Sequence, residues 1–296
     1  MRVTPRAPAC AAPLRRHAAR RLGAALLAAG ALSGCLSLDE RQRQWIFQPA
    51  RQTWWGGIET IDGVEPVWIA FTSKETGREA RLNGLWLPAA NADAPLLLYL
   101  HGARWDVSGS ARRMARMREL GFSVLGIDYR GFGKSSDELP SERMAYEDAR
   151  AAWRWLAEQH PDAPRYIFGH SLGAAVAVDL ASESNDAKGL IVEGGFPSIP
   201  AVYSSMRWGW LPLQWLITQR FDAAQKIERI RMPLLVVHGS EDRLIAPALG
   251  RALYERAPSP KRFVLVDGGS HHNTNALAMN EYRSALHELF GLPALD

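Results

Sequence analysis

The stretch RYIFGHSLGAAVAVDLA, residues 165–181, decides how this chain is read. Tyr166, Ile167 and Phe168 make a short apolar run of the kind that forms a buried strand. Gly169-His170-Ser171-Leu172-Gly173 follows at once, and then an alanine-rich helical segment, Ala174 to Ala181. A G-x-S-x-G pentapeptide between a strand and a helix is a sharp turn that exposes its serine. The glycines are needed because such a turn leaves no room for side chains beside the serine. The helix N-terminus adds partial positive charge where an oxyanion would develop. Ser171 is therefore the candidate nucleophile.

A serine hydroxyl needs a base, and the base needs an acid to orient it. Working outward, the run PLLVV leads into His238-Gly239-Ser240-Glu241-Asp242, and RFVLV leads into Asp267-Gly268-Gly269-Ser270-His271-His272-Asn273. Both loops leave the carboxyl ends of expected strands, the same sheet edge as Ser171. Asp242 is the candidate acid, with Glu193 at the end of GLIVE as a weaker substitute. His271 and His272 compete for the base. The distance from the strand end favours His271, whereas a neighbouring Asn273 that could hold the loop favours His272. An oxyanion hole needs two backbone N–H groups. Leu172 is one expected donor, and Ala103, after His101-Gly102, is the other. Arg104 and Trp105 are expected at the rim or on the surface.

Apolar runs at 67–72, 82–87, 96–101, 123–128, 165–169, 189–193, 233–238 and 262–267 alternate with amphipathic segments at 110–120, 142–158, 172–183, 247–256 and 276–290. The last six runs are dense in Leu, Ile and Val, as strands buried on both faces should be. The pattern predicts an α/β fold, a mostly parallel eight-stranded sheet with helices on both faces. The connection 194–232 is too long for an ordinary loop and holds Trp208, Trp210 and Trp215. It predicts a short helical lid at about 197–231.

These motifs together resemble the α/β-hydrolase superfamily, and within it the small-lid, serine-aminopeptidase-like and monoglyceride-lipase-like branch. The residues that carry the likeness are His101-Gly102, the run from Asp128 to Ser135 (DYRGFGKS), Gly169 to Gly173, His238 to Asp242, and Gly268-Gly269-Ser270-His271. They span about 65 to 290, in the order serine, acid, histidine. The doubled histidine departs from the pattern. The resemblance implies a serine hydrolase that cleaves an ester or thioester of a small-molecule acyl substrate. A peptidase or amidase would use the same machinery, and a hydrolase fold that has become an inactive binding module is the remaining alternative.

The amino terminus reads separately. Residues 1–34 hold six arginines and no acid, followed by the apolar run Leu22 to Leu32. That run is too short to span a bilayer, which takes about 20 residues. Leu32-Ser33-Gly34-Cys35 ends it and looks like a bacterial lipobox, so residues 1–34 are expected to be a lipoprotein signal peptide. Cys35 is the expected lipidation site and 35–63 a tether, whose aromatics Trp45, Phe47, Trp54 and Trp55 suggest that it docks onto the domain, with the hydrolase domain over 64–296. The expected location is the cell envelope, on the periplasmic side of the outer membrane if the source is Gram-negative. Taking the signal's +6 from the chain's +4 leaves −2 for the remainder, so the pI of about 9.2 gives no support for a nucleic-acid partner. Cys10 falls in the signal, which leaves Cys35 without a disulfide partner.

Two other chemistries fit poorly. Gly133-Lys134-Ser135 looks like the end of a phosphate-binding loop, but Asp128 stands where that loop needs its first glycine. There is no H-E-x-x-H and no paired-cysteine motif, so neither metal nor cofactor is expected.

Overall fold

The computed structural model describes residues 37–50 and 61–293. The chain divides after Arg41. Of the first unit only 37–41 are described, and they are helical. The second unit runs from Gln42 and opens with helical residues 42–47 (α1). Cys35 and the expected signal lie outside the described residues, as do Trp54 and Trp55.

Eight strands form one sheet: β1 (Glu65–Thr72), β2 (Glu79–Leu87), β3 (Leu96–Leu100), β4 (Ser123–Ile127), β5 (Arg165–His170), β6 (Ala187–Glu193), β7 (Leu234–Gly239) and β8 (Lys261–Val266). Their order is β1-β2-β4-β3-β5-β6-β7-β8. β2 runs antiparallel to β1 and β4, and every other pairing is parallel. The helices are α2 (Ala111–Glu119), α3 (Glu142–Gln159), α4 (Leu172–Glu183), α5 (Ile199–Ser205), α6 (Ala223–Ile227), α7 (Pro247–Arg256), α8 (Thr274–Leu277) and α9 (Met279–Phe290).

β3, β4, β5 and β7 are buried along their whole length, which is why they read as unbroken apolar runs. Alternate residues serve opposite faces. Leu96, Leu98 and Leu100 join the core under α3, α4, α6 and α7, while Leu97 and Tyr99 join the core under α2 and α9. α4 is the most deeply buried helix, and its alanines let it lie close on β5. β1 and β8 close the two edges and are only part-buried.

Three details are added to the expectations. The segment before residue 64, expected as a tether that docks onto the domain, enters the core at its described residues. Phe47 is fully buried, with its ring 5.6 Å from Phe221 and 6.4 Å from Phe132, and Arg43 Nε donates to Pro140 O at 2.9 Å. Two apolar residues in a polar stretch were enough to build it into the core. The insertion after β6 is helical only in short pieces, α5, a 3-10 turn at Pro212–Leu216, and α6. Its second half belongs to the core, where Phe221, Ala223 and Ile227 are fully buried. Finally, the single helix expected over 276–290 is broken at Ala278 into α8 and α9.

Candidate active site

The carboxyl edge of the parallel strands is where loops meet in such a sheet, and it gathers every candidate residue from β3, β5, β7 and β8. Ser171 sits at the turn between β5 and α4 with φ +57° and ψ −121°. That conformation is strained for a residue with a side chain. Its N–H donates to Glu193 O at 2.9 Å, which ties the turn to β6. Gly169 and Gly173 flank it because the backbones touch there. A Cβ on Gly169 would strike Gly173 O, and one on Gly173 would strike Leu100 O.

His271 lies between the other two residues. Its Nε2 is 2.9 Å from Ser171 Oγ and its Nδ1 is 2.7 Å from Asp242 Oδ2. The carboxylate partner assigns the ring proton to Nδ1, leaving Nε2 to accept from the serine hydroxyl. Asp242 is held in turn by the N–H groups of Leu244 at 2.9 Å and Ile245 at 2.8 Å, both on Oδ1. Burial alone would raise the Asp242 carboxyl. Hydrogen bonds from His238 and His271 outweigh burial and hold it well below the usual carboxylate range.

The loop that carries His271 is fixed at both ends. Asn273 Oδ1 accepts from Ser270 N at 2.6 Å and from Ser270 Oγ at 2.9 Å, and Glu241 N donates to Gly269 O at 2.8 Å. His170, inside the pentapeptide, places its Nε2 3.0 Å from His271 O. Burial keeps that imidazole well below its ordinary pKa, so it is a neutral donor here. The ring of His272 points elsewhere, is exposed, and lies 5.5 Å from the Trp105 ring.

Glu193, the substitute acid, does not reach His271. It is buried and bonded to Arg113 Nε at 2.9 Å and to the Tyr282 hydroxyl at 2.5 Å. The Gly133-Lys134-Ser135 turn is used internally. Ser135 Oγ donates to Asp128 O and accepts from Asn83 N, each at 2.8 Å, which leaves no phosphate cradle.

Two cavities meet at Ser171. One, of about 240 Å³, is apolar and lined by Leu172, Phe196, Ile199, Val202, Met206, Ile217 and Ile245. The other, of about 390 Å³, is lined by His271, His272, Arg104, Arg112, Arg113 and Arg116. Ala103, Arg104, Ser171 and Leu244 border both. The loop that carries Ala103 crosses close above the serine, since a Cβ on Gly102 would lie 3.0 Å from Ser171 Cβ. The arginines of α2 were not among the sequence candidates, where 110–120 counted only as an amphipathic segment. The run ARRMARMRE was the available signal. Among the described residues, no group of three or more His, Cys, Asp or Glu could hold a metal ion, and no helix is long and apolar enough to cross a membrane.

This strand order, with a strained serine turn and a histidine loop at one sheet edge, defines a hydrolase of the α/β-hydrolase superfamily. Within it the chain belongs to the family described as serine aminopeptidase, S33, matched over residues 92–222 and 216–276. An uncharacterised protein of Mycobacterium tuberculosis is 34% identical over 256 residues, covering 86% of this chain and 87% of that one. Lysophosphatidylserine lipase ABHD12 of Danio rerio is 31% identical over 207 residues, 60% of this chain and 54% of that one. The Pyrococcus furiosus esterase Pf2001 shares the fold with a TM-score of 0.64 at 20% identity, over 82% of this chain and 98% of that one.

Proposed function

We propose that this hydrolase is a serine acyl hydrolase acting on an ester or thioester, with Ser171 as nucleophile, His271 as base and Asp242 as the acid that orients it. The observation that carries the reading is the position of the His271 ring, with one nitrogen at the serine hydroxyl and the other at the carboxylate. Nε2 takes the hydroxyl proton as Oγ attacks the carbonyl, and the Leu172 and Ala103 N–H groups receive the oxyanion. Nε2 then returns the proton to the departing alcohol or thiol. Water attacks the acyl-serine by the same route and releases the acid. The apolar cavity takes the acyl chain. A relative that is a lysophosphatidylserine lipase and a fold neighbour that is an esterase favour an ester over an amide.

The test combines labelling with turnover. A fluorophosphonate probe should label the wild type and not Ser171→Ala. A panel of p-nitrophenyl esters of graded length, acyl thioesters and aminoacyl amides should show turnover rising with apolar chain length. Turnover of the amides alone would favour a peptidase, and labelling of neither protein would favour an inactive binding module.

From the sequence we further propose that Cys35 is lipidated and holds the enzyme in the cell envelope. A single acyl chain binds membranes only marginally, whereas two or more anchor firmly. Wild type should enter the detergent phase on partitioning, and Cys35→Ser should stay aqueous with full esterase activity. A wild type found in the aqueous phase would overturn the anchor.

A further inference from the structure

The larger cavity has an unbalanced charge. Its wall includes Arg104, Arg112, Arg113 and Arg116 and no aspartate or glutamate. Arg113 is neutralised by Glu193. Among the described residues, the side chains of Arg104, Arg112 and Arg116 pair with no acid. Elsewhere Arg130, Arg150 and Arg262 each meet a carboxylate, while Arg207 and Arg251 lie over aromatic rings; what sets Arg104, Arg112 and Arg116 apart is that they line one cavity. Arg112 and Arg116 also stand four residues apart on α2, a like-charged spacing that works against the helix. At Arg116, burial first, and then Arg113 and Arg112, work against the charge, and Glu119, one turn on, and Glu193 offset only part of that. His272 lines the same cavity. Burial first, and then His271, Arg113 and Arg104, lower its pKa against the opposing pull of Asp242.

Which half of the substrate meets these arginines follows from the proton route. The departing oxygen must be protonated by His271, so the alcohol half lies in the cavity that His271 lines. That is the basic cavity, and His271 does not border the apolar one. We infer that Arg104, Arg112 and Arg116, with His272, form an anionic leaving-group subsite, so that the preferred substrates are acyl esters whose alcohol carries a phosphate or a carboxylate. The inference rests on the acyl-hydrolase reading above. Guanidinium groups suit either anion because their N–H donors match paired oxygens. The acyl chain occupies the apolar cavity, the ester carbonyl sits over Ser171, and the anion reaches α2.

The experiment compares kcat/KM for three soluble esters of the same chain, 1-octanoylglycerol, 1-octanoylglycerol 3-phosphate and 3-octanoylglycerate. The wild type should prefer at least one anionic ester by about tenfold or more, the scale of a charge-assisted contact. The phosphate and carboxylate arms distinguish which anion the subsite takes. The preference should shrink as ionic strength rises. Arg112→Ala/Arg116→Ala should raise KM for the anionic ester and cut the preference to about a third or less. Arg104→Ala should act in the same direction. If the alanine pair does not fold, Arg112→Gln/Arg116→Gln carries the same test. Probe labelling of Ser171 together with equal rates on neutral and anionic esters, or equal losses on both in the variants, overturns the subsite and leaves the hydrolase standing. Absence of both labelling and hydrolysis of every ester overturns the hydrolase reading and the leaving-group assignment with it.

Discussion

Two buried polar networks in this molecule are finished differently. Around Arg130 every contact is closed. Its Nε donates to Asp148 at 2.7 Å, Nη2 to Glu147 at 2.6 Å, Nη1 to Ser73 Oγ at 2.8 Å, and its backbone N–H to Asp148 at 2.8 Å. The guanidinium has no exposure at all. Around Ser171 the same kind of chemistry is left open. His271 has one nitrogen committed to Asp242, while the other meets only a hydroxyl at the junction of two cavities. The backbone beneath that hydroxyl is strained, whereas Arg130 has ordinary geometry. A buried ion pair whose partners are all satisfied can hold loops and helices together but has no proton to pass. A network that ends at an accessible oxygen can transfer one. Burial and charge alone do not mark a reactive site; an open end does.

The sharpest break in this comparison is Ser171→Ala. Turnover of a p-nitrophenyl ester should fall by about 10⁴ or more. The thermal midpoint should stay near that of the wild type, because the hydroxyl supports no other part of the fold. Preserved turnover would mean that the open network is not the reactive one. Next comes the pair of neighbouring histidines. His271→Ala should cost at least about 100-fold more turnover than His272→Ala, since general-base catalysis contributes roughly that much. Equal, mild losses in the two variants would remove His271 from the base role.

The closed network should respond in the opposite sense. Arg130→Ala strands two buried carboxylates and should cost about 3–5 kcal/mol in urea unfolding. Turnover per folded molecule should be nearly unchanged. A large turnover loss without lost stability would erase the distinction between the two networks.

The smallest effect concerns pH. His101 is held at about 4 by burial, with its Nδ1 at 2.6 Å from Gly102 O. A folded pKa below the unfolded value of 6.5 gives stability that is present above pH 6.5 and is lost as pH falls toward 4. Asp128 works the other way. Burial first, and then Asp106, push its carboxyl up to about 7, against the Val107 N–H, which lowers it. The folded state therefore binds that proton more tightly, and this contribution to stability is lost as pH rises from about 4 through 7. Asp128→Asn removes the opposing term, so its thermal midpoint should fall more steeply than the wild type's between pH 7 and 4. An unchanged slope would show that the buried carboxyl is not protonated in the fold.

Much of the candidate site's geometry was legible in the chain because each of its residues follows a strand that is recognisable from its own apolar run. Ser171, Asp242 and the histidine loop all come directly after such runs, so their sheet edge could be named before any contact was known. The choice between His271 and His272 could not. Adjacent residues point in different directions, and which ring meets Asp242 depends on the turn that Asn273 makes with Ser270 and on the bond from His170 to the loop. Asn273 had counted toward His272, yet in the fold it holds the loop that delivers His271. The three lid tryptophans were equally ambiguous. With Trp208 60%, Trp210 74% and Trp215 80% exposed, they are not the core of their own segment.

Period and motif order were enough to determine the strand and helix sequence, the serine turn and the roster of candidate acids and bases. These are local properties, set by steric limits on the backbone and by which face of an element is apolar. What only the tertiary structure decided is anything that needs two distant segments at known separation. It drew Phe47 into the core, gave Glu193 to Arg113, and set three arginines that meet no acid among the described residues around the cavity that His271 borders. Charge and apolar surface act over a few ångströms in space, and residues 104, 116, 171 and 271 become neighbours only once the parallel strands have been laid side by side.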